Sequence, residues 1–333
     1  MFAAPSRNDP MTTVGVIGAG AVGARVARQL AVTPGVEVVL SSLSRTSAER
    51  VAEAVGPNVQ VVDHVEPGGL DAVVLATPAP QHDLAMSFLA AGVPVVATAD
   101  DREDAWRLMR LDSEASDAGV PLVIGAGFAP GLSCLLTRFV ANEFLSVDEI
   151  HVAKHGTGGP ACARQHHRAL ASTGQVWREG DWRERTGGSG RELCWFPDPV
   201  GAHDCYNAEL ADPLLLLRAF PSAGRLSARM SATRRDRLTS RLPMLRKPHP
   251  EGGLGAIRVE VRGLSTEGRS TVIVGAIDRP GIAAGAVAAV AALRLAVPKI
   301  LTGAVVLSDQ RIDTQALLID LADRGVKAAR FTG

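Results

Sequence analysis

The stretch VGVIGAGAVG, residues 14–23, decides the fold of the first half of the chain. Its first four residues are a short apolar run, which is typical of a buried parallel strand. Gly18, Gly20 and Gly23 follow, and the next residues, AVGARVARQLAV, place apolar side chains at helical spacing. Glycine pairs are common, but a strand, three glycines and a helix in this order indicate a turn that binds a dinucleotide.

Each glycine of this motif has a distinct expected role. Gly18 permits the tight turn, Gly20 lets the backbone approach a pyrophosphate, and Gly23 lets helix and strand pack closely. The free N–H groups at the helix start, at Ala21 and Val22, are expected to face the phosphates. The alternative is a glycine-rich turn that holds no ligand.

Short apolar runs then alternate with helical patterns as far as residue 125. Strands are predicted over 36–43, 59–62, 71–76, 95–98 and 122–125, and helices over 47–55, 81–91 and 100–118. This order predicts an α/β fold whose first domain is a doubly wound parallel Rossmann sheet. Ligands of such sheets bind at the carboxyl ends of the strands. We therefore expect the cofactor to contact residues at two further strand ends, namely Thr77, Pro78, Thr98, Ala99 and Asp100.

The segment after the second predicted strand bears on the choice of cofactor. NAD-binding units carry an acidic side chain there, which accepts hydrogen bonds from the ribose 2′-hydroxyl. This chain instead has Ser44, Arg45 and Thr46. A guanidinium with hydroxyls suits a 2′-phosphate, so NADP is predicted over NAD. The alternative is that Ser47 caps the next helix and Arg45 is a solvated charge.

Three stretches carry a more specific resemblance: LDAVVLATPAP (70–80), AAGVPVVATADD (90–101) and AGVPLVIGAGFAPGLS (118–133). They resemble the saccharopine dehydrogenase-like reductases, as do REGDWRE (178–184) and FPDPVG (196–201). The resemblance is strong over 12–135 and patchy over 150–333. It implies an NAD(P)-dependent oxidoreductase that acts at a carbon–nitrogen bond of an amino acid or imine. The substrate is then expected against the turn formed by Gly127, Phe128, Pro130 and Gly131.

Two other functional interpretations remain open. Sugar and inositol oxidoreductases usually carry Glu-Lys-Pro where this chain has Thr98-Ala99-Asp100. If this chain belonged to that family, it would lack the catalytic lysine. The chain could also be a non-catalytic dinucleotide-binding or scaffold protein, because fold does not fix function.

The second half offers a candidate substrate site. Residues 149–154 alternate like a strand and lead into HGTGGP, after which a helix is predicted. Gly158 and Gly159 at that helix start would suit a substrate carboxylate, although an ordinary strand-to-helix connection reads the same way. His155 is the first candidate for proton transfer and Lys154 the second.

Other polar residues of the second half carry weaker expectations. His166 and its neighbour His167 point about 100° apart on a helix, so they cannot easily share one ligand, and His166 is expected at the surface or at an interface. Tyr206 is expected to line the pocket or to lie half-buried in a strand. The basic residues of segment 225–247 would serve an acidic substrate, a neighbouring subunit's cofactor, or solvation alone.

Composition excludes several functional classes. The 333 residues include 35 basic and 35 acidic ones, so no global field would attract nucleic acid or an acidic membrane. Four cysteines without a CxxC pair or metal-ligand spacing indicate reduced thiols, no metal and a cytoplasmic location. The apolar run 281–297 is short for a membrane span and is expected to be a buried helix.

The domain organisation follows from these patterns. Residues 1–11 lack the apolar core of a secretory signal and are expected to be a disordered tail. The predicted units are the Rossmann domain (12–135), an α+β domain with a mostly antiparallel sheet of five or six strands (136–278), and a C-terminal segment (279–333) that packs back on the first. A homodimer that binds a small carboxylate-bearing amine, imine or carbonyl compound is expected.

Overall fold

A computed structural model describes residues 11–244, 247–299 and 301–331, so most of the predicted tail lies outside the described residues. The first part of the chain alternates strands with helices. Its elements are β1 Thr12–Ile17, α1 Ala21–Ala31, β2 Val36–Ser41, α2 Arg45–Val55, β3 Val59–Val61, β4 Ala72–Leu75, α3 His82–Ala90, β5 Val95–Ala97, α4 Arg102–Met109, α5 Asp112–Asp117, β6 Pro121–Ile124 and α6 Leu132–Ala141.

The middle of the chain is dominated by strands. Its elements are β7 Ser146–His155, α7 Pro160–Ala171, β8 Thr173–Arg178, β9 Asp181–Thr186, β10 Glu192–Trp195, β11 Ala202–Asn207, α8 Asp212–Ala219, β12 Arg225–Ser231, α9 Arg234–Thr239, β13 Gly255–Ser265 and β14 Gly268–Asp278. The chain ends with α10 Pro280–Ala291, a π-helical segment Ala292–Ala296, β15 Gly303–Val306, α11 Thr314–Asp323 and β16 Lys327–Arg330.

The first sheet is parallel throughout and has the order β3-β2-β1-β4-β5-β6-β15. The predicted Rossmann sheet is thereby confirmed, and its carboxyl ends share one edge. One helix was predicted wrongly: the single helix expected over 100–118 is two helices, α4 and α5. Arg110 and Leu111 donate to carbonyls three residues back, at Arg107 and Leu108, and these tight turns interrupt the helix.

The second sheet is mostly antiparallel, as predicted, with β12–β7 as its one parallel pair among the described strands. Its main path is β10-β11-β12-β7-β13-β14-β16, and the β8–β9 hairpin joins at β12. Nine strands replace the five or six expected. The additional ones include β9 and β16, which are exposed along almost their whole length and therefore lack the apolar alternation that predicts a strand.

The segment after Asp278 contributes to both sheets. Helix α10 is buried along almost all of its length and crosses α1 so closely that a Cβ at Gly285 would lie 2.4 Å from the Cβ of Arg25. Strand β15 extends the first sheet, and β16 pairs with β14 of the second. The predicted buried helix is confirmed, and no helix in the described part of the chain is long and apolar enough to cross a membrane.

Candidate functional site

The glycine turn after β1 leaves room for a ligand at one glycine only. Gly18 has a φ of +115°, and a Cβ there would lie 2.6 Å from the Ala76 carbonyl oxygen. A Cβ at Gly23 would lie 1.8 Å from the Gly18 carbonyl oxygen. A Cβ at Gly20 would meet nothing within 4 Å. Gly18 and Gly23 are thus required by the packing of the backbone, and Gly20 borders open space.

Helix α1 begins at this open space with polar groups available. Gly20 is its N-cap, no described side chain caps the helix, and its first turn carries no acidic residue. The first N–H groups of a helix, here those of Ala21 and Val22 onward, lack intrahelical partners and carry partial positive charge. The turn is therefore suited to an anionic group such as a pyrophosphate.

The segment between β2 and α2 is more tightly organised than the sequence suggested. Ser44, not Ser47, is the N-cap of α2: its Oγ accepts from the Ser47 N–H at 3.3 Å and from the Ser47 hydroxyl at 3.0 Å. Arg45 is exposed and pairs with Glu49 at 3.0 Å and also with Asp63. Thr46 lies exposed in the first turn beside it. A 2′-phosphate at this place would compete with two carboxylates for the guanidinium.

The ends of β4 and β5 form the central part of the same edge. The Thr98 hydroxyl donates to the Leu75 carbonyl at 3.0 Å, and Gln81 Nε2 donates to the Thr77 carbonyl at 2.6 Å. The buried Thr77 hydroxyl has no hydrogen-bond partner among the described residues. Pro78 is exposed and Ala99 is buried. An unpaired buried hydroxyl is costly, so Thr77 marks this edge as a place where a ligand would supply the missing partner.

A cluster of ionisable side chains lies beyond Thr98. Cys162 Sγ is 3.8 Å from Asp100 Oδ2 and 3.5 Å from His166 Nε2, and His166 Nε2 is 4.0 Å from Asp100 Oδ2. Lys154, only 4% exposed, is near enough for its charge to act on all three, and it donates from Nζ to the Ala129 carbonyl at 3.1 Å. Asp212 is fully buried, with Ser133 Oγ donating to it at 2.6 Å; it also feels the Lys154 charge.

Burial and charge set the protonation of this cluster. Burial raises the pKa values of Asp100 and Asp212, and the Lys154 ammonium opposes both shifts. Burial, with Asp100 adding to it, raises the pKa of Cys162 to about 12. Burial and Lys154 hold the pKa of His166 well below its usual range. A neutral thiol and a neutral imidazole therefore lie beside one buried ammonium and two carboxyl groups.

Sequence reasoning missed most of this cluster. His166 was expected at the surface or at an interface and is buried within the chain, because this face of helix α7 lies against Asp100, which follows β5. The prediction that the cysteines lack metal-ligand spacing was also wrong, because Cys162 and His166 are four residues apart on one helix and share a face. That spacing was a detectable signal. Asp212 had none, because it reaches Ser133 across 79 residues of sequence.

Lys154 and His155 do not share a site. Successive residues of a strand point to opposite faces, and Lys154 faces the first domain. The His155 ring stacks on His203 with centroids 4.1 Å apart, and its Nδ1 lies 2.8 Å from Ser231 Oγ. Burial and the nearby His203 lower the pKa of His155 to about 4, so its imidazole is uncharged near pH 7. The structure places it away from Asp100 and Cys162.

The glycine turns expected to bind substrate are closely packed. Gly131 has a φ of +127°, and a Cβ there would lie 2.1 Å from the Gly127 carbonyl oxygen. Phe128 and Pro130 are buried, and the Lys154 contact is to the carbonyl of Ala129 between them. This loop therefore forms the floor beneath Lys154.

The second glycine turn contacts the first domain. A Cβ at Gly159 would lie 2.6 Å from that of Ala21, and one at Gly158 would lie 3.2 Å from the Gly281 nitrogen. The contact at Gly159, together with its φ of +128°, requires glycine there, and the space at Gly158 is tight. They also dock the start of α7 against the start of α1, which brings Cys162 close to the cofactor edge.

Tyr206 lies on the same face of the second sheet as Lys154. The register pairs Tyr206 with Met230 and Met230 with Lys154, so the three form a row across the sheet. Tyr206 is buried beneath the Arg237 guanidinium, which lies 4.2 Å from the ring centroid. Tyr206 is thus two strands away from Lys154 along one surface.

The basic residues of segment 225–247 lie in two different surroundings. Arg229 pairs with Glu192 at 2.8 Å. A groove of about 370 Å³ lies beside helix α9 and is lined by three of the arginines, with Arg246 outside the described residues. Its basic lining residues are Arg234, Arg237 and Arg241.

Comparison with known proteins agrees with this architecture. Saccharopine dehydrogenase (L-Glu forming) from Saccharomyces cerevisiae superposes with a TM-score of 0.68 at 14% identity, covering 96% of this chain and 100% of that one. The chain has the fold of saccharopine dehydrogenase. The resemblance predicted from the sequence is thereby confirmed at the level of fold.

Other comparisons match more weakly or over a shorter range. DAP dehydrogenase from C. glutamicum gives a TM-score of 0.51 at 16% identity over 95% of this chain and 99% of that one. An engineered D-amino acid dehydrogenase bound to NADP+ gives 0.50 at 15% identity over 94% and 99%. Residues 13–100 match the family described as NADP oxidoreductase coenzyme F420-dependent. No curated protein matches the sequence significantly.

Proposed function

We propose that this protein is an NADP(H)-dependent oxidoreductase that acts at a carbon–nitrogen bond of an amino acid or imine. The observation that carries the proposal is the position of the buried Lys154 and its acidic partners. They lie at the carboxyl end of β5, on the edge where the Gly18–Gly23 turn also opens. Structures of similar fold include enzymes named for amino acid substrates, which supports this substrate class.

The residues present fit a dinucleotide. Gly20 borders free space at the uncapped start of α1, where the backbone N–H groups would hold the pyrophosphate. The nicotinamide would lie against Thr77-Pro78 and Thr98-Ala99-Asp100, within reach of the unpaired Thr77 hydroxyl. Bound there, the cofactor supplies or accepts the hydride.

Lys154 is the proposed proton-transfer residue. When a C=N bond is reduced, the carbon gains a hydride and the nitrogen gains a proton, and the Lys154 ammonium can supply that proton. The charge of Lys154 acts on both Asp100 and Asp212, and the Ala129 carbonyl, which accepts from Nζ, fixes the direction of the amine. In the oxidative direction the neutral amine of Lys154 takes the proton back.

The substrate would extend from this point along the second sheet. Tyr206 lies in the same row as Lys154, and Arg237 lies over its ring. The α9 groove beyond is lined by guanidinium groups, which pair well with carboxylates. A substrate whose carboxylate is remote from its reacting nitrogen therefore suits the row formed by Lys154, Met230 and Tyr206, with its carboxylate at the groove. A homodimer in the cytoplasm remains part of the proposal.

The preference for NADP rests on Arg45, Ser44 and Thr46. No acidic residue occupies the first turn of α2, and the matched family model is described by NADP. The Glu49 and Asp63 carboxylates hold Arg45 at the helix start, and all three side chains are more than half exposed. Exposed ion pairs contribute little free energy, so a 2′-phosphate can displace them.

Cofactor oxidation with three series of substrates tests the proposal. NADPH consumption is measured with keto acids plus amines, with cyclic imines and with aldehydes, and kcat/KM is compared for NADPH and NADH. Arg45→Ala is expected to lower the NADPH/NADH ratio at least about tenfold, since one charge-assisted contact of about 1.4 kcal/mol is lost.

Arg107→Ala is the matched control. Arg107 also pairs with a glutamate one helical turn away on its own helix, at 3.1 Å, and should leave the ratio unchanged. An equal ratio in wild type and Arg45→Ala would refute the assignment of the 2′-phosphate. Tight NADPH binding without turnover on any substrate would favour a non-catalytic dinucleotide-binding protein.

A further inference from the structure

Three side chains of different metal-binding chemistry converge at the edge of the candidate site. The distances among Asp100 Oδ2, Cys162 Sγ and His166 Nε2 are 3.5, 3.8 and 4.0 Å. In a tetrahedral zinc site with bonds of about 2.0–2.3 Å, neighbouring ligand atoms lie roughly 3.3–3.6 Å apart. Shifts of a few tenths of an ångström would therefore bring the three atoms into a zinc coordination sphere.

We propose that Asp100, Cys162 and His166 bind one divalent transition-metal ion, with Zn²⁺ as the best fit. A thiolate, an imidazole and a carboxylate suit Zn²⁺, whereas Mg²⁺ and Ca²⁺ prefer oxygen ligands alone. Three protein ligands leave a fourth position open, as in catalytic zinc sites. Asp100 and Cys162 are only partly buried, so this position is accessible.

The elements that carry the ligands are fixed to one another. Cys162 and His166 lie one turn apart on α7, so they share a face of that helix. Asp101, next to Asp100, caps α4 by accepting from the Asp104 N–H at 3.0 Å. Its other oxygen accepts from Gln165 Nε2 at 2.7 Å, which ties α7 to the end of β5. Such an arrangement positions metal ligands before the metal arrives.

The surroundings of the proposed ligands include both acidic and basic groups. The charge of Lys154 acts on Asp100 and on Asp212, so all three side chains belong to one cluster. Binding of Zn²⁺ through the Cys162 sulfur would release the thiol proton to solvent. The metal would sit beside Lys154 without replacing its contact to Ala129.

Cobalt(II) substitution tests the site. Chelator-treated full-length protein is titrated with Co²⁺ alone and observed by absorption spectroscopy. We expect one Co²⁺ per chain, a thiolate-to-cobalt charge-transfer band and the strong visible bands of a four-coordinate ion, all abolished by equimolar Zn²⁺. Cys162→Ser should remove the charge-transfer band, and His166→Gln should weaken binding at least about tenfold.

Two variants provide matched controls. His167→Gln changes the next residue of the same helix, whose ring bonds the Leu242 carbonyl at 2.8 Å, and Cys134→Ala removes a different buried thiol. Both should bind Co²⁺ as the wild type does. Serine nearly preserves the size of cysteine, and a cooperative unfolding transition without metal confirms that Cys162→Ser is folded.

Absence of bound Co²⁺, or a charge-transfer band that survives Cys162→Ser, would overturn the metal site. The test requires no turnover, so its outcome is independent of the proposed reaction. Metal binding by a protein that never oxidises NADPH would leave the site standing. NADPH turnover in a protein that binds no metal would leave the reaction standing.

Discussion

Lys154 balances the charge of the partly exposed Asp100 and the fully buried Asp212, and its replacement by methionine should destabilise the protein at neutral pH. Methionine nearly preserves the volume of the 4% exposed lysine side chain, so the cavity contribution is small. What is lost is the positive charge that opposes the raised pKa values of Asp100 and Asp212.

The cost of removing Lys154 follows from the burial of its partners. Lys154 acts on both acids through its charge, without an ion-pair contact to either in the described part of the chain, so its removal costs no more than the about 3–5 kcal/mol lost when a contacting buried ion pair is broken. The Asp100 side chain is 32% exposed and is partly relieved by water, whereas Asp212 is fully buried. We therefore expect a loss of about 3 kcal/mol in the free energy of unfolding.

The pH dependence distinguishes lost charge from lost packing. Burial raises the folded-state pKa values of both acids above the unfolded value of 3.8. An acidic group whose pKa is higher in the folded state than in the unfolded state stabilises the protein at low pH. This contribution is lost as the pH rises through the folded-state pKa. Without Lys154 the pKa values of both acids rise further. The difference in free energy of unfolding between wild type and Lys154→Met should therefore be smaller at pH 5 than at pH 7.

Urea unfolding of wild type, Lys154→Met and Lys154→Met/Asp212→Asn measures these quantities. The double variant should recover stability at pH 7, because it removes the more deeply buried carboxyl charge. A Lys154→Met variant within about 1 kcal/mol of wild type, or with an equal deficit at both pH values, would refute the coupling of Lys154 to the two acids.

Two further predictions concern the glycine turn and His155. Gly20→Ala places its Cβ in open space, so it should leave stability within about 0.5 kcal/mol of wild type while weakening NADPH binding at least about tenfold by fluorescence titration. Gly23→Ala forces a Cβ against the Gly18 carbonyl and should cost about 1–3 kcal/mol by urea unfolding; equal stability of the two variants would contradict the packing described. The folded pKa of His155 is lowered to about 4, so the unfolded chain takes up a proton first as the pH falls below 6.5. Between pH 7 and pH 5 the free energy of unfolding should therefore fall by about 2 kcal/mol more in wild type than in His155→Gln, and an equal fall in both proteins would contradict the burial of this imidazole.

The sequence by itself determined the first domain. Gly18 to Gly23 follow an apolar strand directly, and the constraints on them act between residues close in the chain or on the adjacent strand β4. The alternation of short strands and helices up to residue 125 predicts the parallel sheet, because each element has its own periodicity. The N-cap of α2 was misplaced by three residues, since both Ser44 and Ser47 suit the role and only the backbone conformation selects one.

Only the tertiary structure decided which polar residues form a site. Lys154 and His155 are adjacent and similar by sequence, yet the pleat of β7 sends one to the buried acids and the other to His203. Cys162 and His166 carried a helical spacing, but Asp100 joins them because Gly159 allows α7 to pack against α1. Local sequence encodes periodicity and turns. The meeting of groups 60 residues or more apart depends on how whole elements pack, and no local pattern records it.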